Sequence, residues 1–160
     1  VTFMTHPTTI PDFADWLAIC NVKAAYCRLL DTKQWDAWAE LFTPDCVSDT
    51  TDSGGTRVEG RAQMVEYVSA SLADARTTHH VHQPQMTFDG PDAVDVVWAM
   101  QDRVIKDSFD LWGTGHYHER YVRTAEGWRI KSQVLTRLIL EVRSGSAMNG
   151  AAEPGSTAPG

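Results

Sequence analysis

The sequence predicts an α+β fold in which helices come first and a curled antiparallel sheet follows. Three observations predict it. Apolar residues recur at helical spacing as far as about residue 72, and from residue 78 onward the period becomes alternating. The chain of 160 residues, 42% hydrophobic and 22% charged, is sized and composed for one domain with its own core. Helices gathered ahead of strands, rather than interleaved with them, argue against a doubly wound α/β sheet.

Each element follows from its local pattern. Residues 1–11, with Pro7 and Pro11, read as a flexible arm. A first helix is expected over Asp12–Leu30, where Phe13, Trp16, Leu17, Ile19 and Cys20 begin a broad apolar stripe and Asp12 or Asp15 can cap the start. A second is expected from about Lys33 to Phe42, carrying Trp35, Trp38 and Leu41, with Pro44 to stop it. A third covers Arg61–Leu72 after a turn at Gly54-Gly55, and its Met64, Val65, Val68 and Leu72 share one side. Short strands are expected at Cys46–Thr50 and Thr56–Val58. Long strands follow at Thr78–Phe88, Ala93–Ile105, Leu111–Thr124 and Trp128–Val142, divided by polar turns such as Asp89-Gly90-Pro91-Asp92. From residue 144 the chain is small, polar and rich in Pro and Gly, so it is expected to be a disordered tail outside a domain of residues 12–143.

Charge narrows the partners. With 14 Lys and Arg against 21 Asp and Glu the net charge is −7, and no basic run interrupts that balance, which argues against nucleic acid and anionic membrane. The apolar stretches fall short of the roughly 18 residues of a spanning helix, and no basic-then-apolar leader opens the sequence. A soluble, cytoplasmic protein is the expectation. Cys20, Cys27 and Cys46 have no paired spacing, so neither a disulfide framework nor a zinc ribbon is indicated.

Histidine is the residue type that points to chemistry. His79, His80 and His82 lie in one segment and His116 and His118 in another, and imidazole is the usual carrier of protons near neutral pH. Alternation puts His79 on one side and His80 and His82 on the other, unless a bulge intervenes near Gln83-Pro84. His80-Val81-His82 is an HxH pair of the kind some metal sites use, but no carboxylate follows it from Gln83 to Phe88. In the strand from Ala93, the period that aligns Val94, Val96, Trp98 and Met100 also brings Asp102 to that apolar face, where a carboxylate needs a partner or a purpose. Asp31 has two readings: Asp31-Thr32-Lys33-Gln34 fits a capping box, and a carboxylate at the end of an apolar stripe can also orient an imidazole. The final strand has Trp128, Ile130, Val134, Leu138 and Leu140 on one face and Leu135 and Ile139 on the other. Two partly apolar faces suggest a homo-oligomer, dimer or trimer.

WDAWAELFTPDC followed by GRAQMVEYV, then THHVHQP, then GHYHERYVRTAEGWRIKS resemble the SnoaL-like branch of the nuclear transport factor 2-like superfamily over about residues 10–142. The resemblance implies a cone, in which the curved sheet wraps a pocket that three N-terminal helices close. It also implies a cofactor-free lyase like the scytalone and bile acid dehydratases, with no metal, built on an Asp–His dyad. Asp31 falls at the aspartate's place. His79-His80-Val81-His82-Gln83-Pro84 matches the H-x-x-H-N-P motif of the bile acid enzymes with Gln83 for Asn, which makes His79 the base and His80 its rival. Tyr26 matches their tyrosine and Asp102 their second aspartate, while His116 in GTGHYH is similar to the second histidine of the scytalone enzymes. Leu30 stands where the scytalone enzymes have a tyrosine. On this resemblance Trp98, Met100 and Tyr117 line a pocket for an apolar, ring-bearing hydroxy compound, and elimination of water is the implied reaction. An isomerase would use nearly the same parts, and a non-catalytic binding module or dioxygenase small subunit would need none of the dyad.

Overall fold

In the computed structural model, which describes residues 12–144, Asp12 opens the first helix by accepting a hydrogen bond from the Ala14 amide at 3.1 Å. Helix α1 (Phe13–Asp31) then buries Ile19, Tyr26, Leu29 and Leu30. It ends at Thr32, and Lys33 takes a φ of +60°, a left-handed residue that turns the chain away. Helix α2 (Trp35–Ala39) is shorter than its apolar spacing suggests. The expected capping box does not form: Gln34 occupies the cap position and makes no side-chain cap bond, because the Asp31 carboxylate is engaged elsewhere. Pro44 lies inside strand β1 (Phe42–Asp49) rather than behind the helix. It sits in the irregular stretch between Phe42 and Val47, where the ladder to the neighbouring strand is interrupted and a missing amide is tolerated.

A short 3₁₀ turn (Thr51–Ser53) and strand β2 (Arg57–Glu59) follow, and α3 runs over Arg61–Leu72 as its period predicts. The long strands are β3 (Arg76–Phe88), β4 (Ala93–Lys106), β5 (Phe109–Thr124) and β6 (Gly127–Ser144). They form one six-stranded sheet in the order β2-β1-β6-β5-β4-β3. The curved sheet is antiparallel as expected except at one seam, where β1 runs parallel to β6. The connection between them passes through α3 and four strands, long enough for the crossover a parallel pair requires. Among the described residues no helix is long and apolar enough to cross a membrane. The expected arm and nearly all of the expected tail lie outside the described residues.

Bulges give the sheet its curl and decide which side chains face inward. On β3, Val81 pairs with Met100 but Pro84 with Trp98, so the alternation flips at His82-Gln83. On β6 it flips twice. Lys131 is extra between the pairs Ile130–Tyr121 and Ser132–Arg120, and Leu138 is extra between Arg137–Gly115 and Ile139–Thr114. These insertions overturn the expected faces of the last strand: Trp128 and Ile130 point inward, but so do Gln133, Leu135 and Arg137, while Val134 and Leu138 are exposed. The core joins the inner sheet face to α1 and α2 through Tyr26, Trp38 and Phe42, whose rings meet at 4.8–5.9 Å between centroids. Each fully buried ring of this kind contributes about 1.5–3 kcal/mol. Beneath them, Lys23 and Glu119 form an ion pair of 2.5 Å with no exposure on either side chain. Tyr121 donates to the same carboxylate at 2.6 Å, and the Lys23 Nζ lies 3.9 and 3.7 Å from the Tyr26 and Tyr117 rings, so the buried charges are compensated on several sides.

Candidate functional site

Asp31 is the last residue of α1, and this places its carboxylate against the start of β3. Its Oδ1 accepts from the Thr77 hydroxyl at 2.8 Å and lies 2.7 Å from His79 Nδ1, while Oδ2 accepts from the His79 backbone amide at 2.8 Å. Burial on its own would raise the pKa of this group. The hydrogen bonds from the His79 ring and amide and from Thr77 outweigh that and hold the carboxyl below its ordinary range. An ionised carboxylate only accepts, so Nδ1 of His79 carries the proton and Nε2 presents its lone pair to the other side.

That other side is a cavity of about 420 Å³ between α3, the 3₁₀ turn and the inner sheet face. Its polar floor includes Tyr26, His79, Asp102, Gln133 and Arg137, and its walls include Val68, Leu72, Val104, Phe109 and Leu111. His79 Nε2 lies 3.9 Å from Asp102 Oδ2. Asp102 is held by Arg137 in a two-pronged ion pair of 2.7 and 2.8 Å, both side chains buried. Ser53 of the 3₁₀ turn accepts from the remaining face of the guanidinium at 3.0 and 2.7 Å. Gly113 makes room for the pair, since a Cβ there would stand 2.5 Å from Arg137 Nη1 and 3.1 Å from Asp102 Oδ1. The Tyr26 hydroxyl accepts from Gln133 Nε2 at 3.2 Å, and burial together with the Glu119 charge pushes the phenol far above its usual value, so it stays a donor.

The structure thus brings His79, Asp102 and Tyr26 to one cavity, with Tyr117 on its lining, and places Asp31 behind the His79 ring rather than on the cavity wall. It does not bring the others. His116 lies on the outer sheet face between the inward Gly115 and Tyr117, its ring 6.2 Å from that of His118, so it cannot reach the cavity. His80 is exposed on the outer face, because the flip in β3 comes only after it. Trp98 and Met100 point inward as expected but are sealed in the core rather than lining the cavity. Arg137 and Ser53 escaped the sequence reading. The signal for Arg137 was indirect: Asp102 on an apolar face demanded a partner, and Arg137 is the basic residue inside the apolar run from Val134 to Leu140. Among the described residues no three His, Cys, Asp or Glu side chains gather as a metal would require. Chemically, the arrangement offers one imidazole lone pair backed by a carboxylate, one phenol donor and one neutralised ion pair, in a cavity open to an apolar body.

Known proteins share this architecture. A probable cyclase of Gibberella zeae is 22% identical over 135 residues, spanning 76% of this chain and 90% of its own length. An uncharacterised protein of Mycobacterium tuberculosis is 26% identical over 137 residues, 81% of this chain and 89% of that one. Among solved structures, a candidate scytalone dehydratase of Novosphingobium aromaticivorans superposes with a TM-score of 0.74 at 20% identity, covering 84% of this chain and 91% of that one. A hexachlorocyclohexane dehydrochlorinase gives 0.74 at 15% identity, covering 86% and 95%. At these identities the structural likeness speaks for the fold. The model of the SnoaL-like domain matches residues 11–134, most of the chain, and the protein therefore belongs to the SnoaL-like family.

Proposed function

We propose that the protein is a cofactor-independent lyase, a dehydratase acting on a cyclic, aromatic, polyketide or steroid-like hydroxy compound beside a carbonyl. The observation that carries this reading is the Asp31–His79 contact of 2.7 Å, which leaves the opposite ring nitrogen facing the cavity. His79 Nε2 takes the proton on the carbon next to the carbonyl, and the electron pair moves to the carbonyl oxygen, where Tyr26 donates a hydrogen bond. Asp31 stabilises the imidazolium that forms. As the enolate collapses, the carbon–oxygen bond breaks, and the imidazolium returns its proton to the departing hydroxide as water. Asp102, tied to Arg137, supports the imidazolium from the second side.

A ketosteroid-type isomerase is the second reading. It uses the same base and the same phenol, with the imidazolium returning its proton to another carbon of the enolate instead of to a departing hydroxide. The exposed apolar residues of the outer face, Val134, Leu138 and Ile139, support a homo-oligomer in either case.

The test is a screen of ring-bearing β-hydroxy-ketones for water loss, read as enone absorbance. His79→Ala is expected to lower kcat by at least about 100-fold, the share of a general base. Turnover that survives this substitution would overturn the reading. A double-bond shift without water loss would select the isomerase. No turnover, with ligand binding retained, would move the protein to the binding modules.

A further inference from the structure

The inward row of β4 does not stop at the polar floor. It runs Val94, Val96, Trp98, Met100, Asp102, Val104 and then Lys106, the last residue of the strand, which lines the same cavity at its rim. Lys106 lies four residues beyond Asp102, about 13 Å along the strand at roughly 3.3 Å per residue. Between them the wall is mostly apolar, with Val104, Phe109 and Leu111 from the sheet and Val68 and Leu72 from α3 outnumbering Tyr67 and Ser71. The cavity is therefore graded from a polar floor through an apolar middle to a cationic rim.

The charges at the two ends are not equivalent. Those of the floor are closed on themselves, Asp102 by Arg137 with both side chains buried and Asp31 by His79 and Thr77. Lys106 meets only Asp74 among the described residues, at 2.8 Å, and that carboxylate belongs to a turn and is 73% exposed. The Lys106 side chain itself is 21% exposed, and a pair whose other partner stands mostly in water holds weakly. Lys106 is thus a cation that a ligand can recruit at little cost, in a protein whose net charge of −7 otherwise disfavours anions.

Resting on the reading of the cavity as a site for a ring-bearing substrate, we propose that Lys106 is an anion-binding subsite. The substrate then carries a carboxylate at the end of its ring body opposite the reacting carbon. The Asp74 carboxylate is the ligand's stand-in when the site is empty.

The inference is tested by binding, on the full chain, of 3-oxo-4-androstene-17β-carboxylic acid and its methyl ester, which share the ring body and differ in the charge. Wild type is expected to bind the acid about tenfold more tightly than the ester at low salt, with the preference falling as salt rises. Lys106→Met should remove the preference while leaving the ester's affinity in place, Lys106→Arg should keep it, and Asp74→Asn should increase it. Equal binding of acid and ester by wild type, or a Lys106→Met loss shared by both ligands, would overturn the inference. If wild type binds neither, the ring-site reading fails and the subsite falls with it. Because the readout is affinity, a protein that keeps the acid preference yet shows no turnover sinks the lyase reading alone.

Discussion

Strands β4 and β6 face the same cavity, yet they place their side chains by different rules. β4 holds a period of two without interruption from Ala93 to Lys106, so Val94, Val96, Trp98, Met100, Asp102 and Val104 are buried on one side. β6 breaks that period at Lys131 and again at Leu138. Without the first break, Gln133, Leu135 and Arg137 would face outward, and Asp102 would be buried with no counter-ion. The regular strand supplies the carboxylate, and the irregular one supplies what makes burying it affordable. The cavity floor is thus assembled where a strand departs from ideal geometry, which is where bulges commonly re-aim functional side chains.

The largest expected effect breaks this comparison at its hinge. A Cβ on Gly115 would stand 1.9 Å from the Thr136 carbonyl oxygen, a backbone atom that cannot step aside. Gly115→Val should therefore cost roughly 4 kcal/mol or more, or prevent folding, by forbidding the bulge at Leu138. The matched change on the regular strand, Ala99→Val on the outer face opposite His116, should stay within about 0.5 kcal/mol. Denaturant melts of both variants measure the contrast, and similar midpoints would show that the bulge does not depend on this glycine.

The same contrast explains what the sequence disclosed. Asp102 was legible because a strict period carried it onto the face of Val94 to Met100, and α3 was legible because its stripe begins after Gly60 and ends where the period does. Asp31 was legible as a residue with two readings, and only tertiary contact with His79 and Thr77 decides against the cap. Arg137 was not legible, since the insertion that turns it inward shows itself only in the pairing of β6 with β5. His116 misled because its likeness lay in the GTGHYH string, whereas its face is fixed by the inward Gly115 and Tyr117 beside it. Trp98 and Met100 were on the correct face, but alternation says nothing of depth, and they lie below the cavity rather than along it.

A step down in size, the Asp102–Arg137 pair joins the two strands directly. Arg137→Met leaves a buried carboxylate without its guanidinium and should cost about 3 kcal/mol. Removing the charge as well, in Asp102→Asn with Arg137→Met, should recover much of that loss, because both partners then leave together. The double-mutant cycle, read from unfolding midpoints, would show additive losses if the two residues were merely neighbours.

The smallest effect concerns Asp31, whose carboxyl is held below its ordinary value of 3.8 chiefly by His79 and Thr77 against the opposing effect of burial. A carboxyl with a depressed native value stabilises the fold above its unfolded value, and that contribution is lost as the pH falls through the native one. The stability difference between wild type and Asp31→Asn should thus be largest near pH 5 and shrink steadily below about pH 4, with a slope no steeper than about 1.4 kcal/mol per pH unit for one proton. Other lowered carboxyls, among them Asp15 and Asp110, also destabilise the protein in acid, but they do so equally in both variants and cancel in the difference. A difference that stays flat from pH 5 to pH 2 would mean that the Asp31 carboxylate gains nothing from His79 and Thr77 beyond what water offers it. The link from α1 to β3 would then rest on packing alone.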